Sequence, residues 1–155
     1  GFSHPEVIHH PSVHLVQPAG CDTIATALRE GRDDGTVLKR ATTAVTGLKV
    51  PFLLDVAPVI AMARSSGGTG FVGSDREIYE VQARLAREEG ILAEPAGAAA
   101  VMGALKAADE GIIRQDDVVI CLVTGSAFND EEAFERMTES NRPQRLSVAA
   151  LAELI

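Results

Sequence analysis

Apolar residues return at helical spacing from Ile78 to Ala86. There Ile78, Val81, Leu85 and Ala86 form one stripe, while Glu80, Arg84, Arg87 and Glu88 face water. Ser74 and Glu77 occupy the N-cap and third positions of this helix, a capping box, and Gly90 closes it. A second helix is predicted after Pro95 over AGAAAVMGALKAADE, apolar on nearly every side until Lys106. Its alanines and glycines let neighbouring backbone approach closely, so it belongs inside a larger body. Val118 to Val123 (VVICLV) is a continuous apolar run, the pattern of a parallel strand covered on both faces.

Shorter elements fill the rest. Val13 to Gln17 alternates and stops at Pro18-Ala19-Gly20, a short strand. Asp22 or Thr23 can cap a helix through Ile24, Ala27 and Leu28 that stops at Gly31. Arg32 to Gly35 is predicted as exposed loop, Thr36 to Arg40 as a helical turn, and Gly47 to Pro51 as loop. Ala41 to Val50 as a whole carries no decisive pattern. Val56 to Ser65 is a helix with Pro58 in its first turn. The run Ser66-Gly67-Gly68-Thr69-Gly70 lacks both GxxxxGK[ST] and GxGxxG spacing, so it reads as a helix stop before strand Phe71-Val72. Ile91-Leu92-Ala93 reads as a brief buried strand and Glu131 to Glu139 as a helix. Asn141 to Arg145 reads as a polar linker, and Ser147 as the cap of a last helix, VAALAELI. Alternating strands and helices predict one α/β domain over 1–155, three-layer αβα with a mostly parallel sheet.

At 155 residues, with 46% hydrophobic and 23% charged content, the chain can bury a proper core. A net charge of −8 with no basic face argues against nucleic acid or an anionic membrane as partner. No apolar run reaches membrane-spanning length, and the polar, histidine-rich start is not a signal peptide. Cys21 and Cys121 show no CxxC spacing, which fits a reducing compartment, so a cytoplasmic location is expected. Residues 1–12 are irregular; their histidines and His14 lack a Cys or carboxylate cluster, so no metal site is expected.

In parallel α/β sheets ligands sit at the C-terminal ends of strands, and two loops fall there. Thr124 offers a hydroxyl able to meet a ring nitrogen, Gly125 lets backbone approach a planar ligand, and Ser126 adds a second hydroxyl. A threonine that merely caps the sheet edge fits the motif equally well. Glu94, before Pro95, stands at a helix N-terminus, where it can serve either as a cap or as a ligand contact.

The segments Asp75 to Ile78, Leu85 to Ile91, Glu94 to Ala99 and Val118 to Gly125 together resemble the C-terminal third of threonine synthase. That family of pyridoxal-phosphate enzymes also includes threonine and serine dehydratases and tryptophan synthase β. Thr46 to Pro51 followed by Ser65 to Gly68 is similar to the family's GLRVP…ESGG connection, and Val16 to Cys21 to the strand and turn after its phosphate-binding helix. The match covers roughly residues 13–130, and the ordered series is more specific than any single motif. It implies a partial version of the tryptophan synthase β-like fold and pyridoxal 5'-phosphate as cofactor. It also implies a small-molecule amino-acid substrate, with O-phosphohomoserine and water giving threonine and phosphate. Thr124 would face the pyridine nitrogen, and Gly125, Ser126 and Glu94 would line the cofactor.

The sequence departs from that pattern in two ways. Where the family often has TGxGxKD, Ala127 and Asn129 replace Gly and Lys, which leaves a dehydratase as an alternative. The Schiff-base lysine and glycine-rich phosphate loop lie upstream in the family, and Lys39, Lys49 and Lys106 lack that lysine's context. The chain is therefore expected to be a C-terminal portion, inactive alone and with no catalytic residue of its own. A non-catalytic binding or regulatory module is the alternative of another class. Apolar surface left open, especially along the helix after Pro95, is expected to be covered by self-association as a homo-oligomer, a dimer.

Overall fold

The computed structural model describes residues 10–52 and 54–139, together with Ser147. Two parallel strands form the sheet, β1 (Leu15–Pro18) and β2 (Gly70–Gly73), in register from Leu15 opposite Gly70 to Pro18 opposite Gly73. Helices α1 (Ala25–Arg29) and α2 (Val56–Ser65) lie on one side of it. On the other lies α4 (Pro95–Asp109), with α3 (Asp75–Arg84) packed against it and α5 (Glu131–Thr138) beyond. The architecture is a small parallel sheet inside αβα layers, as the pattern predicts. The predicted linker at 141–145 and the last helix lie outside the described residues, apart from an exposed Ser147.

Small residues set the layer spacing. A Cβ on Gly70 would overlap the Ala25 carbonyl of α1, and one on Gly103 of α4 would run into the Val16 side chain of β1. One core forms between α3 and α4 from Val45, Ile78, Val81, Leu85, Ala98, Ala99 and Met102. A second, of Ala27, Leu28, Ile60 and Ala63, joins α1 to α2.

The capping box is present: the Ser74 N–H donates to Glu77 Oε2 at 2.6 Å, and the Glu77 N–H to Ser74 Oγ at 3.3 Å. Helix α3 runs on into a π turn, Leu85–Glu89, that ends at Gly90. The glycine-rich run after α2 is a helix stop. Gly67 is left-handed, the Gly68 N–H returns to the Ala63 carbonyl at 2.9 Å, and Gly68 lies hard against Val13. His14 is structural, its Nδ1 accepting from the Thr69 N–H at 3.1 Å.

Four local expectations are corrected. Neither Asp22 nor Thr23 caps α1. Gln17 reaches over from β1 instead, and its Oε1 accepts from the Ile24 and Ala25 N–H groups at 2.8 Å each. Asp22 instead accepts from the Thr26 hydroxyl at 2.6 Å. Residues 36–40 form no helical turn. Ile91 and Leu92 are exposed, and only Ala93 makes a bridge, antiparallel, to Ser126. Val118 to Val123 joins no sheet among the described residues and is covered on one face only.

Lys106 of α4 meets Glu77 of α3 at 2.6 Å, and this bond, with the Ser74 groups, brings the Glu77 carboxyl from 4.5 down to about 2. A depressed carboxyl stabilises the fold above its unfolded value, so this contribution is whole above about pH 4.5 and fades as the pH falls toward 2. Because the pair is partly exposed, it is worth about 1 kcal/mol. Urea denaturation at pH 6 and pH 3 should therefore show Glu77→Gln losing less stability on acidification than the parent. Equal losses would show that the contact is energetically idle.

Candidate active site

Several segments converge at the C-terminal end of the two strands. β1 ends in a 3-10 turn, Ala19–Cys21, and β2 leads into Ser74 and α3. Thr42 donates its N–H to the Gly20 carbonyl at 2.9 Å, which brings the segment from Ala41 to Leu48 across this end. Its first part, 41–45, has no regular structure and alternates, with Ala41, Thr43 and Val45 buried and Thr42 and Ala44 exposed, too briefly to stand out in the sequence; a 3-10 turn, Thr46–Leu48, ends it.

The two loops singled out in the sequence meet here. Glu94 donates its N–H to the Gly125 carbonyl at 3.3 Å, and Ala127 donates to the Leu92 carbonyl at 2.9 Å. Gly97, in the first turn of α4, lies so close to Thr124 that a Cβ would overlap its carbonyl oxygen. Gly125 has φ 69°, and a Cβ on it would fall into the Glu94 carboxylate. On another side, a Cβ on Gly47 would come within 3.9 Å of Glu94 Oε1 and 2.8 Å of the Ala96 Cβ. The carboxylate thus lies between the backbones of two glycines.

Glu94 is the N-cap residue of α4 by backbone position, yet its side chain makes no capping hydrogen bond. The exposed Thr124 hydroxyl has no hydrogen-bond partner among the described residues. Neither side chain is spent on local structure. Ser126 is, in part: its Oγ accepts from the Phe128 N–H at 3.4 Å and caps the turn Ala127–Asn129. Asp130 follows, capping α5 through the Ala133 N–H at 3.0 Å and accepting from the Thr46 hydroxyl at 3.1 Å. Sequence reasoning missed Thr46, Gly47 and Asp130 as neighbours of this edge, because their contacts are remote in the chain; Thr46 and Asp130 stand 84 residues apart.

No lysine pairs with Glu94 or Thr124 among the described residues. Lys106 is held by Glu77, while Lys39 and Lys49 are exposed. A concavity of about 200 Å³ between α3 and α4, lined in part by Val81, Met102 and Lys106, includes neither Glu94 nor Thr124. At the Glu94–Thr124 edge, residues 124–126 are exposed and Glu94 is half-buried.

The family model "Pyridoxal-phosphate dependent enzyme" matches residues 2–125. The chain belongs to the pyridoxal-phosphate dependent enzymes. Within that family it is similar to threonine synthases. That of Methanocaldococcus jannaschii is 33% identical over 129 residues, covering 83% of this chain and 32% of that protein. That of Methanosarcina acetivorans is 31% identical over 145 residues, covering 94% of this chain and 36% of that protein. The chain thus spans about a third of the length of these curated relatives. A solved threonine deaminase from T.th. superposes with a TM-score of 0.50 at 22% identity, over 63% of this chain and 34% of that one, and shares the fold.

Pyridoxal phosphate is the cofactor of this family, and the edge fits part of it. The missing Cβ atoms of Gly125 and Gly47 make room for the Glu94 carboxylate and the Ala96 methyl, and the Thr124 hydroxyl, which has no hydrogen-bond partner among the described residues, is of the type that can meet a ring nitrogen. Among the described residues no lysine bonds to Glu94 or Thr124, though Lys49 follows Gly47 by two residues.

Proposed function

We propose that this chain is the C-terminal portion of a pyridoxal-phosphate lyase of the threonine synthase kind, acting on O-phosphohomoserine and water to give threonine and phosphate. One observation carries it. The Thr124 hydroxyl and the Glu94 carboxylate, neither used by the fold, are brought to one edge at the C-terminal end of the parallel strands.

Bound there, pyridoxal phosphate supplies an electron sink for bond changes next to an amino group. Thr124 would hold the ring nitrogen through a neutral hydroxyl, which does not keep that nitrogen protonated as a carboxylate would. Gly125 leaves room for the Glu94 carboxylate and would line the cofactor with it, and Ser126 shapes the loop by capping the turn that follows. Glu94, held between Gly47 and Gly125 at the N-terminus of α4, would line the cofactor with its carboxylate. Covalent attachment and substrate turnover are left to residues outside this chain.

Two measurements test this. The 155-residue chain mixed with pyridoxal phosphate should develop no lysine-dependent visible absorbance; a band abolished by replacing Lys39, Lys49 or Lys106 overturns the division of labour. The protein as its gene encodes it should release phosphate from O-phosphohomoserine with threonine as product. Deamination of threonine or serine without that activity would make it a dehydratase, and binding without turnover a regulatory module.

A further inference from the structure

We propose that Asp75 and Asp130 are positioning residues that strap the segment Thr43–Gly47 against the Glu94 edge, and so fix where the Glu94 carboxylate stands. The proposal rests on the function given above. At one end of the strap, Asp75 accepts from the Thr43 hydroxyl at 2.5 Å and from the Ala44 N–H at 2.6 Å. At the other, Asp130 accepts from the Thr46 hydroxyl at 3.1 Å. Between them the buried Val45 side chain enters the core beside Ile78, Ala98 and Met102. Directly after Thr46 comes Gly47, whose missing Cβ leaves the space taken by the Ala96 methyl, on the side of Glu94 Oε1.

The two aspartates come from different parts of the chain. Asp75 opens α3 directly after β2, and Asp130 caps α5, which docks on α3 with the Arg136 guanidinium 4.3 Å from the centre of the Tyr79 ring. A shift of α5 is therefore passed through Asp130 and Thr46 to Gly47, and from there to Glu94. The links from α5 to Thr46 are a packing contact and a hydrogen bond, and the last step is the closeness of the Gly47 backbone to Ala96 and the Glu94 carboxylate.

Thr46→Val tests it, since it removes only the hydroxyl and leaves the Asp130 cap on α5 intact. In the protein as its gene encodes it, amide exchange should rise at Leu48 and Lys49, whose N–H groups close the turn onto the Val45 and Thr46 carbonyls. Exchange in α5 should stay unchanged. Pyridoxal phosphate should bind about fivefold more weakly, the size of one lost net hydrogen bond, and Thr46→Ser should restore both readouts. Asp75→Asn should loosen Ala44 and weaken the cofactor in the same direction. Faster exchange at Leu48 and Lys49 with unchanged cofactor affinity would reduce the strap to a structural feature and overturn the proposal. A parent protein that binds no pyridoxal phosphate would overturn the function itself, and the positioning role with it.

Discussion

Gly97→Ala is expected to destabilise the fold by about 3 kcal/mol, because its methyl would have to occupy the space of a backbone carbonyl. That carbonyl belongs to Thr124, and the Thr124 amide nitrogen lies only 2.9 Å from the same point. Neither is the free end of a side chain that can swing away, so either α4 withdraws or the 124–126 loop does. Each outcome parts Glu94 from Gly125 and opens the site. Gly111→Ala is the control: its φ is 71°, with nothing within 4 Å of an added Cβ, so it pays only the left-handed strain of about 1 kcal/mol. Urea midpoints of the two variants should therefore differ clearly, and pyridoxal phosphate binding should fail in Gly97→Ala alone. Equal midpoints would mean that α4 and the loop can separate at no cost, and that the edge is not rigidly built.

What could be seen of this site in the sequence was whatever short-range chemistry encodes. The box at Ser74 and Glu77 spans three residues, and Pro95 marks the start of α4; both are present as expected. The two loops were legible because each follows an apolar run and carries glycine. Their meeting was legible only through the general rule that ligand sites lie past strand ends. The cap on α1 was not legible, since Gln17 reaches it from seven or eight residues upstream where a local rule selects Asp22 or Thr23. The strap was hidden for the same reason. Thr43 has no pattern of its own, Thr46 and Gly47 belong to a connecting motif that says nothing of their neighbours, and all three acquire meaning from Asp75, Asp130 and Ala96, partners that folding alone brings near.

The run VVICLV marks the other limit of a local pattern, and it sets up a second large effect. Burial along it alternates as in a strand. Cys121 and Val123 are half-buried and Val119, 45% exposed, is partly covered; Cys121 Sγ sits 3.8 Å from the Ala100 carbonyl of α4, and burial pushes its thiol pKa up. Val118, Ile120 and Leu122 point outward, 93%, 82% and 76% exposed. An apolar run is read correctly as wanting cover on both faces, but composition cannot say which chain provides it. For the 155-residue chain alone, a second copy can. Burying each of the three side chains is worth about 1.5–3 kcal/mol, so two copies together gain roughly 9–18 kcal/mol against an association cost of about 4–15 kcal/mol. The midpoints of these ranges leave about 4 kcal/mol in favour of association, a dissociation constant on the order of 1 mM. Sedimentation velocity on the parent chain should show a dimer or larger species as its concentration approaches that value. Ile120→Lys should raise the dissociation constant by about a hundredfold or more, since each copy loses one such side chain and buries a charge in its place. Its urea midpoint should hardly move, because Ile120 contributes little to the monomer core. A parent chain monomeric at every concentration, or an Ile120→Lys variant that associates as before, would show that this face is tolerated in water and that the apolar run needs no cover.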